Sequence, residues 1–166
     1  MIAAIDVHYR KHITKAVAIT FENWDATEPI AIHEAWITEV AAYIPGQFYK
    51  RELPCILKVV AQLEIAAIDV LLIDGYVFLD DNKKCGLGMY VYEHFQRAIP
   101  VIGVAKRAFK NNKKQVREVL RGTSKQPLFV TSVGVDVEEA AANILKMSGK
   151  YRMPTLLKRL DQTTKS

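Results

Sequence analysis

The stretch Ile68-Asp69-Val70-Leu71-Leu72-Ile73-Asp74 decides how this chain folds. A short, nearly continuous apolar run of this kind marks a strand covered on both faces. A second run, Ile2-Ala3-Ala4-Ile5, also closes on an aspartate, Asp6. If the strands at 2–9 and 67–74 lie side by side and parallel, Asp6 and Asp74 meet near the carboxyl edge of a sheet. That edge is where α/β folds usually place their sites. An ionised carboxylate there is costly unless something positive compensates it. Converging carboxylates can hold a hard divalent cation such as Mg²⁺, which prefers oxygen ligands. A third acid, Glu52, lies in Phe48-Tyr49-Lys50-Arg51-Glu52-Leu53-Pro54, just after the turn Tyr43-Ile44-Pro45-Gly46. Each acid alone reads as an ordinary edge or cap residue; together they read as a site.

The rest of the chain arranges itself around these runs. Residues 2–9 and 13–21 are β-rich and are separated by the polar Arg10-Lys11-His12, which predicts a hairpin. Pro29 to Ile37 supplies a third strand. From Arg51 to Leu63, Leu53, Ile56, Leu57, Val60 and Leu63 recur at helical spacing. Pro54 suits only a first turn, which puts the start of that helix near Arg51. A helix is expected from Met89 to Gln96, after Gly86-Leu87-Gly88, and strands at Pro100 to Val104, Val116 to Leu120 and Leu128 to Thr131. Asp136 to Met147 is an amphipathic helix capped by Asp136, with Ala140, Ala141, Ile144 and Leu145 on one face. A last helix starts at Pro154. Strands first, then alternating helices and strands, predict an α/β fold with a mixed sheet covered by helices, in one domain over 1–166.

At 166 residues the chain can bury a single substantial core. With 50% hydrophobic and 25% charged residues, it has the balance of a soluble globular protein. A net charge of +5 mildly favours a polyanionic partner. Cys55 and Cys85 form no CxxC pair, and no secretory segment precedes them, so a reducing cytoplasm is the simpler expectation. No apolar run approaches the length of a membrane helix, so no membrane association is expected.

Several short motifs, in order along nearly the whole chain, resemble the endonuclease V family, nucleases that cut beside deaminated purines. They are Asp6-Val7-His8-Tyr9, then Tyr43-Ile44-Pro45-Gly46 followed by Arg51-Glu52-Leu53-Pro54. Ile73-Asp74-Gly75, Ile102-Gly103-Val104-Ala105-Lys106, Tyr151-Arg152-Met153-Pro154 and Arg159-Leu160-Asp161 complete the series. The Tyr-x-Pro-Gly turn leading into Arg-Glu-Leu-Pro is the most distinctive. The resemblance implies an RNase H-like fold and Mg²⁺-dependent phosphodiester cleavage, with Mn²⁺ as a substitute. It matches Asp6, Glu52 and Asp74 to the acidic metal site and Asp161 to the late position that completes it. Lys106 matches the lysine beside the scissile region. Tyr43, Ile44, Pro45 and Gly46 match a wedge that opens the duplex. Gly75 and Tyr76 border the pocket for the base, and Arg152 adds a substrate contact.

The sequence departs from the family pattern at a few positions. After Asp74-Gly75 it reads Tyr76-Val77-Phe78-Leu79-Asp80-Asp81, with Val77 at a small-residue position and Asp80 at a histidine position. Tyr90 aligns with a further family histidine. Asp80 reads either as a solvated loop residue or as an extension of the metal site. His8 and His12 have HxxxH spacing but fall in a strand and the following turn, which sets zinc aside. Lys106, Arg107, Lys110, Lys113, Lys114, Arg117 and Arg121 read equally as a solvated basic surface or as a phosphate-binding ridge. Trp24 and Trp36 lie outside every motif and read as packing residues.

The expected protein is thus a cytoplasmic, monomeric endonuclease acting on hypoxanthine in DNA or RNA. It cuts the second phosphodiester bond 3′ to the lesion and leaves a 3′-hydroxyl and a 5′-phosphate. The rival readings are a nucleic-acid-binding homologue without catalysis and an RNase H-like nuclease with another target. A small α/β enzyme acting on a phosphorylated metabolite is a third.

Overall fold

In the computed structural model, which describes residues 1–38, 45 and 48–166, the two apolar runs are neighbouring strands. Strands β1 (Ile2–Tyr9) and β2 (Thr14–Phe21) form the expected antiparallel hairpin, with Tyr9 opposite Thr14. Strand β3 (Ala31–Ile37) pairs with β2. Helix α1 (Phe48–Val60) leads through a short 3₁₀ turn, Ile65–Ala67, into β4 (Val70–Asp74), which runs parallel to β1. Then follow α2 (Leu87–His94), β5 (Val101–Ala105), β6 (Arg117–Val119), β7 (Leu128–Val133), α3 (Val137–Lys146) and α4 (Thr155–Lys165). The mixed sheet has seven strands in the order β3-β2-β1-β4-β5-β7-β6, as the α/β, RNase H-like expectation requires.

Side-chain alternation sorts the core onto two faces. Ile2, Ala4, Val70, Leu72, Ile102 and Val104 point to one face and pack with Ile144, Leu156 and Leu160 of α3 and α4. Ala3, Ile5, Leu71, Ile73 and Val101 point to the other and pack with Ile56 and Val59 of α1 and Val91 of α2. Burial on both sides is why these strands are apolar without a break. At the start of α3, Asp136 caps as expected: its carboxylate accepts from the backbone N–H groups of Glu138 and Glu139.

Four expectations need correction. β4 begins at Val70 rather than 67, because Ile65–Ala67 closes a 3₁₀ turn, with the Ala67 N–H bonded to the Glu64 carbonyl. Pro54 sits inside α1 rather than in its first turn. Pro54 and Lys50 are both exposed, so the carbonyl that loses its helical partner faces water. Trp36 does not pack inside: it is 41% exposed on the edge strand β3, with the Arg10 and Lys15 cations over its ring at 5.4 and 5.0 Å. Trp24 does pack, edge-on to Phe21. Arg121 is no part of a surface ridge. It is 3% exposed and donates to the carbonyls of Met147, Gly149 and Tyr151, tying down the approach to α4.

Candidate active site

The register places the acids. Ile5 lies opposite Ile73 in the parallel β1–β4 pair, so Asp6 and Asp74 are the next residues at the same edge. Alternation turns both toward the face that α4 covers, as it does Lys106, two residues beyond Val104 on β5. Asp161 reaches the same place from α4. Asp6, Asp74, Lys106 and Asp161 line one cleft of about 380 Å³, floored by Leu72, Met153 and Leu157.

Helix α4 is locked in register there. Thr164, fully buried, donates from Oγ1 to Asp6 Oδ2 at 2.8 Å. Lys165 pairs with Asp161 at 3.0 Å. At the C-terminal end of the helix, Lys15 donates to the Thr163 carbonyl at 2.8 Å and Arg10 to the Thr164 carbonyl at 3.2 Å, where cations also suit the helix dipole.

Glu52 approaches the edge from the opposite face, carried by α1. With Asp6, Asp74, Gly75, Leu87 and Arg107 it lines a second cleft of about 940 Å³. Asp6 and Asp74 therefore form the wall that the two clefts share. Beside Glu52, the Arg51 guanidinium stacks on the Tyr9 ring at 3.7 Å, and the Tyr9 hydroxyl is directed at the Glu52 carboxyl. The loop after Asp74 lies flat on β5. The Val77 N–H donates to Thr131 Oγ1 at 2.8 Å, and a Cβ on Gly103 would sit 2.5 Å from the Gly75 carbonyl oxygen. Gly103 is required because no side chain fits beneath that loop. Gly75 itself has φ +133°, a conformation that favours glycine.

The acids repel one another in partial burial. Desolvation, followed by the charges of Asp6 and Asp74, pushes Glu52 up to about 8. Asp74 borders solvent along the cleft, yet desolvation and then Asp6 raise it to about 6, against the pull of Lys106. Asp6 is also raised, chiefly by desolvation, with the Thr164 hydrogen bond opposing. A site that holds protons in this way has more negative charge than its lysines offset.

The remaining expected residues fall as follows. Pro45 is exposed, while Tyr43, Ile44 and Gly46 lie outside the described residues. Tyr76 is 9% exposed, donates to the Arg107 carbonyl at 2.5 Å, and lines a neighbouring groove rather than the cleft beside Gly75. Arg152 donates to the carbonyls of Lys106 (2.5 Å) and Pro127 (2.8 Å), so it braces the strand end that carries Lys106. Thr164 is the residue that the sequence reading missed. Its only signal was its position three residues after Asp161, on the same helical face.

The Endonuclease V family model matches residues 1–162. This chain belongs to the endonuclease V family. A bifunctional methyltransferase/endonuclease from Picrophilus torridus is 29% identical over 95% of the chain and 51% of its own length, so the chain spans about half of that relative. An endonuclease V from Streptomyces avermitilis is 27% identical over 96% of the chain and 77% of its own length. The crystal structure of Ciona intestinalis endonuclease V, in complex with a 24mer DNA containing an inosine followed by a ribo-adenosine, superposes with a TM-score of 0.80. It covers 99% of the chain and 84% of its own, at 16% identity, and so attests the fold.

Within the endonuclease V pattern, the departures have structural explanations. Asp80 is a turn residue: its Oδ1 accepts from the Asn82 and Lys84 N–H groups at 2.9 and 3.0 Å. Val77 is fully buried and packs where Gly88 leaves room, since a Cβ on Gly88 would lie 2.7 Å from Val77 Cγ2. Tyr90 stacks on Tyr49 with centroids 3.7 Å apart, bridging α2 and α1. The donors at the edge are all carboxylate oxygens, which suit a hard cation better than zinc. Among the described residues, no three His, Cys, Asp or Glu side chains already close on one point, so binding an ion there requires rotamer changes. No helix among those residues is long and apolar enough to cross a membrane.

Proposed function

We propose that this endonuclease V family chain is a Mg²⁺-dependent repair endonuclease that acts on hypoxanthine in DNA or RNA. It cuts the second phosphodiester bond on the 3′ side of the lesion and leaves a 3′-hydroxyl and a 5′-phosphate. The observation that carries this reading is the gathering of Asp6, Glu52 and Asp74 at one sheet edge, with Asp161 and Lys106 beside the two aspartates. Membership of the family, and the inosine-containing DNA bound to the Ciona relative, supply the substrate class.

The residues divide the work. Asp6 and Asp74, shared by both clefts, would hold the cation, with Glu52 and Asp161 completing its surroundings from opposite faces. Their mutual repulsion suits a divalent cation, which would offset the like charge that, after desolvation, raises Glu52 and Asp74. When bound, the ion supplies charge to the scissile phosphate and makes water a better nucleophile. Lys106, exposed and braced through its carbonyl by Arg152, sets positive charge where the phosphate develops negative charge. Gly75 leaves the cleft wall bare, with no side-chain atom to hold a base away.

A second reading, a nucleic-acid binder without catalysis, is favoured by the stacked Tyr49 and Tyr90, which fill a place where the family carries histidine. One experiment separates the two. Matched oligonucleotides with and without one inosine are incubated with Mg²⁺ or EDTA and resolved to the nucleotide. The proposal expects one Mg²⁺-dependent cut, one nucleotide beyond the inosine. Binding without cutting supports the second reading, and equal cutting of both strands removes the lesion specificity.

A further inference from the structure

The loop that follows β5 reaches beyond the acidic edge. Lys106 and Arg107 border the two clefts, and the same loop then walls a third groove of about 930 Å³ with Tyr76 and Phe129. Phe109 stands at its mouth, 46% exposed, edge-on to Tyr76 with centroids 5.8 Å apart. A large apolar ring left open beside a cavity marks a contact surface. Deeper in the groove, Asn112 is 7% exposed. Its Nδ2 donates to the Phe78 carbonyl at 2.8 Å, which fixes which end of the amide is oxygen, and the Oδ1, closed off from the surface, has no partner among the described residues.

The charge around this groove points the same way. Lys106, Arg107, Lys110, Lys113 and Lys114 are all exposed, and none makes an ion pair among the described residues. Arg117, next along the chain, is paired with Glu138, and Arg121 is buried. Asp81 accepts the backbone N–H groups of Lys113 and Lys114, which holds the loop's shape and leaves their ammonium groups outside any ion pair. Glu118 also lines the groove, beside Arg117, which Glu138 neutralises.

We infer that this groove is a second nucleobase site, which receives an unpaired base of the strand whose phosphate lies at Asp6 and Asp74. The base stacks on the open face of Phe109, with Asn112 behind it holding the loop to the Phe78 carbonyl, and the backbone phosphates run along Lys110 and Lys113. The inference rests on the nucleic-acid reading of the site, but not on cleavage or on the choice of lesion.

The test is a length series. Fluorescein-labelled single-stranded DNAs carrying one inosine are extended separately on the 5′ and 3′ sides, and anisotropy is followed in EDTA for the full chain. Wild-type affinity should rise about tenfold once one side, and only one, is long enough to reach the groove. Phe109→Ala should lose that gain while still binding the shortest strand as wild type does, and Phe109→Trp should restore it. Because each protein is its own reference, a general loss of folding cannot mimic the result. A Phe109→Ala variant that gains as much as wild type overturns the inference, as does a wild type whose affinity is flat with length. If wild type shows the length effect but cuts nothing at inosine in Mg²⁺, the proposed activity fails and the groove stands. If it cuts at inosine without the length effect, the groove fails alone.

Discussion

On the α4 face of the acidic edge, Asp6 accepts a hydrogen bond from buried Thr164, and Asp6 and Asp74 line one cleft with Lys106. On the α1 face, Glu52 lies beside the Tyr9 hydroxyl, which opposes the rise in its pKa, and beside Arg51, whose buried Nε has no partner among the described residues. The first face is organised before any ligand arrives. The second carries the unpartnered Arg51 Nε and a carboxyl that desolvation pushes up to about 8. On the proposed function, the α4 face would be the fixed half of a cation site and the α1 face the half that completes on binding.

The sharpest break in that comparison is at the shared wall. Asp6→Asn should reduce cleavage by about a thousandfold or more, because it removes one of the two carboxylates that both clefts share. Oligonucleotide affinity should fall far less. Gel assays and anisotropy on the same preparation check both. Loss of binding and of the thermal transition together would make Asp6 a structural residue.

Thr164→Val offers a smaller and more selective cut. It keeps the shape of a fully buried side chain and deletes the hydroxyl that orients Asp6. Removing such an orienting partner should raise the Mg²⁺ concentration needed for half-maximal rate about tenfold. The rate at saturating Mg²⁺ should change little. A lower plateau with unchanged Mg²⁺ dependence would mean that Thr164 serves only packing.

Much of the α4 face was legible in the sequence, and less of the α1 face. Asp6 and Asp74 end apolar runs whose alternation fixes their side of the sheet, so pairing two strands was enough to bring them together. Thr164 gave no such sign: it is a neutral residue in a polar helix, and its role depends on how α4 sits against β1. Arg121 misled for a related reason. Local charge pattern groups it with Lys106 to Lys114, but whether an arginine meets water or backbone carbonyls is decided by a loop 26–31 residues away in sequence. Pro54 shows the limit of a positional rule, since a proline on the exposed side of a helix leaves its orphaned carbonyl in water rather than in the core. Tyr76 follows Gly75 in sequence, but the chain turns at Gly75, and Tyr76 lines the neighbouring groove with its hydroxyl bonded to the Arg107 carbonyl.

The mildest test concerns protons. Glu52 is raised from 4.5 to about 8 and Asp74 from 3.8 to about 6, in both cases chiefly by desolvation and then by neighbouring acids. A raised folded-state value means that the native protein binds these protons more tightly than the unfolded chain does. Their contribution to stability is therefore full below about pH 4 and is lost as pH rises, through 6 for Asp74 and through 8 for Glu52. In EDTA, thermal stability should fall between pH 5 and 8 by a few degrees. Glu52→Gln, which cannot ionise, should flatten the upper part of that slope. Mg²⁺ binds only the ionised acids, so the stabilisation it adds should grow over the same interval. Differential scanning fluorimetry across pH, with and without Mg²⁺, reads all three effects. If the Mg²⁺ increment stops growing above about pH 7, where Asp74 is already ionised, Glu52 is not among the groups that meet the ion, and the α1 face would belong to the substrate alone.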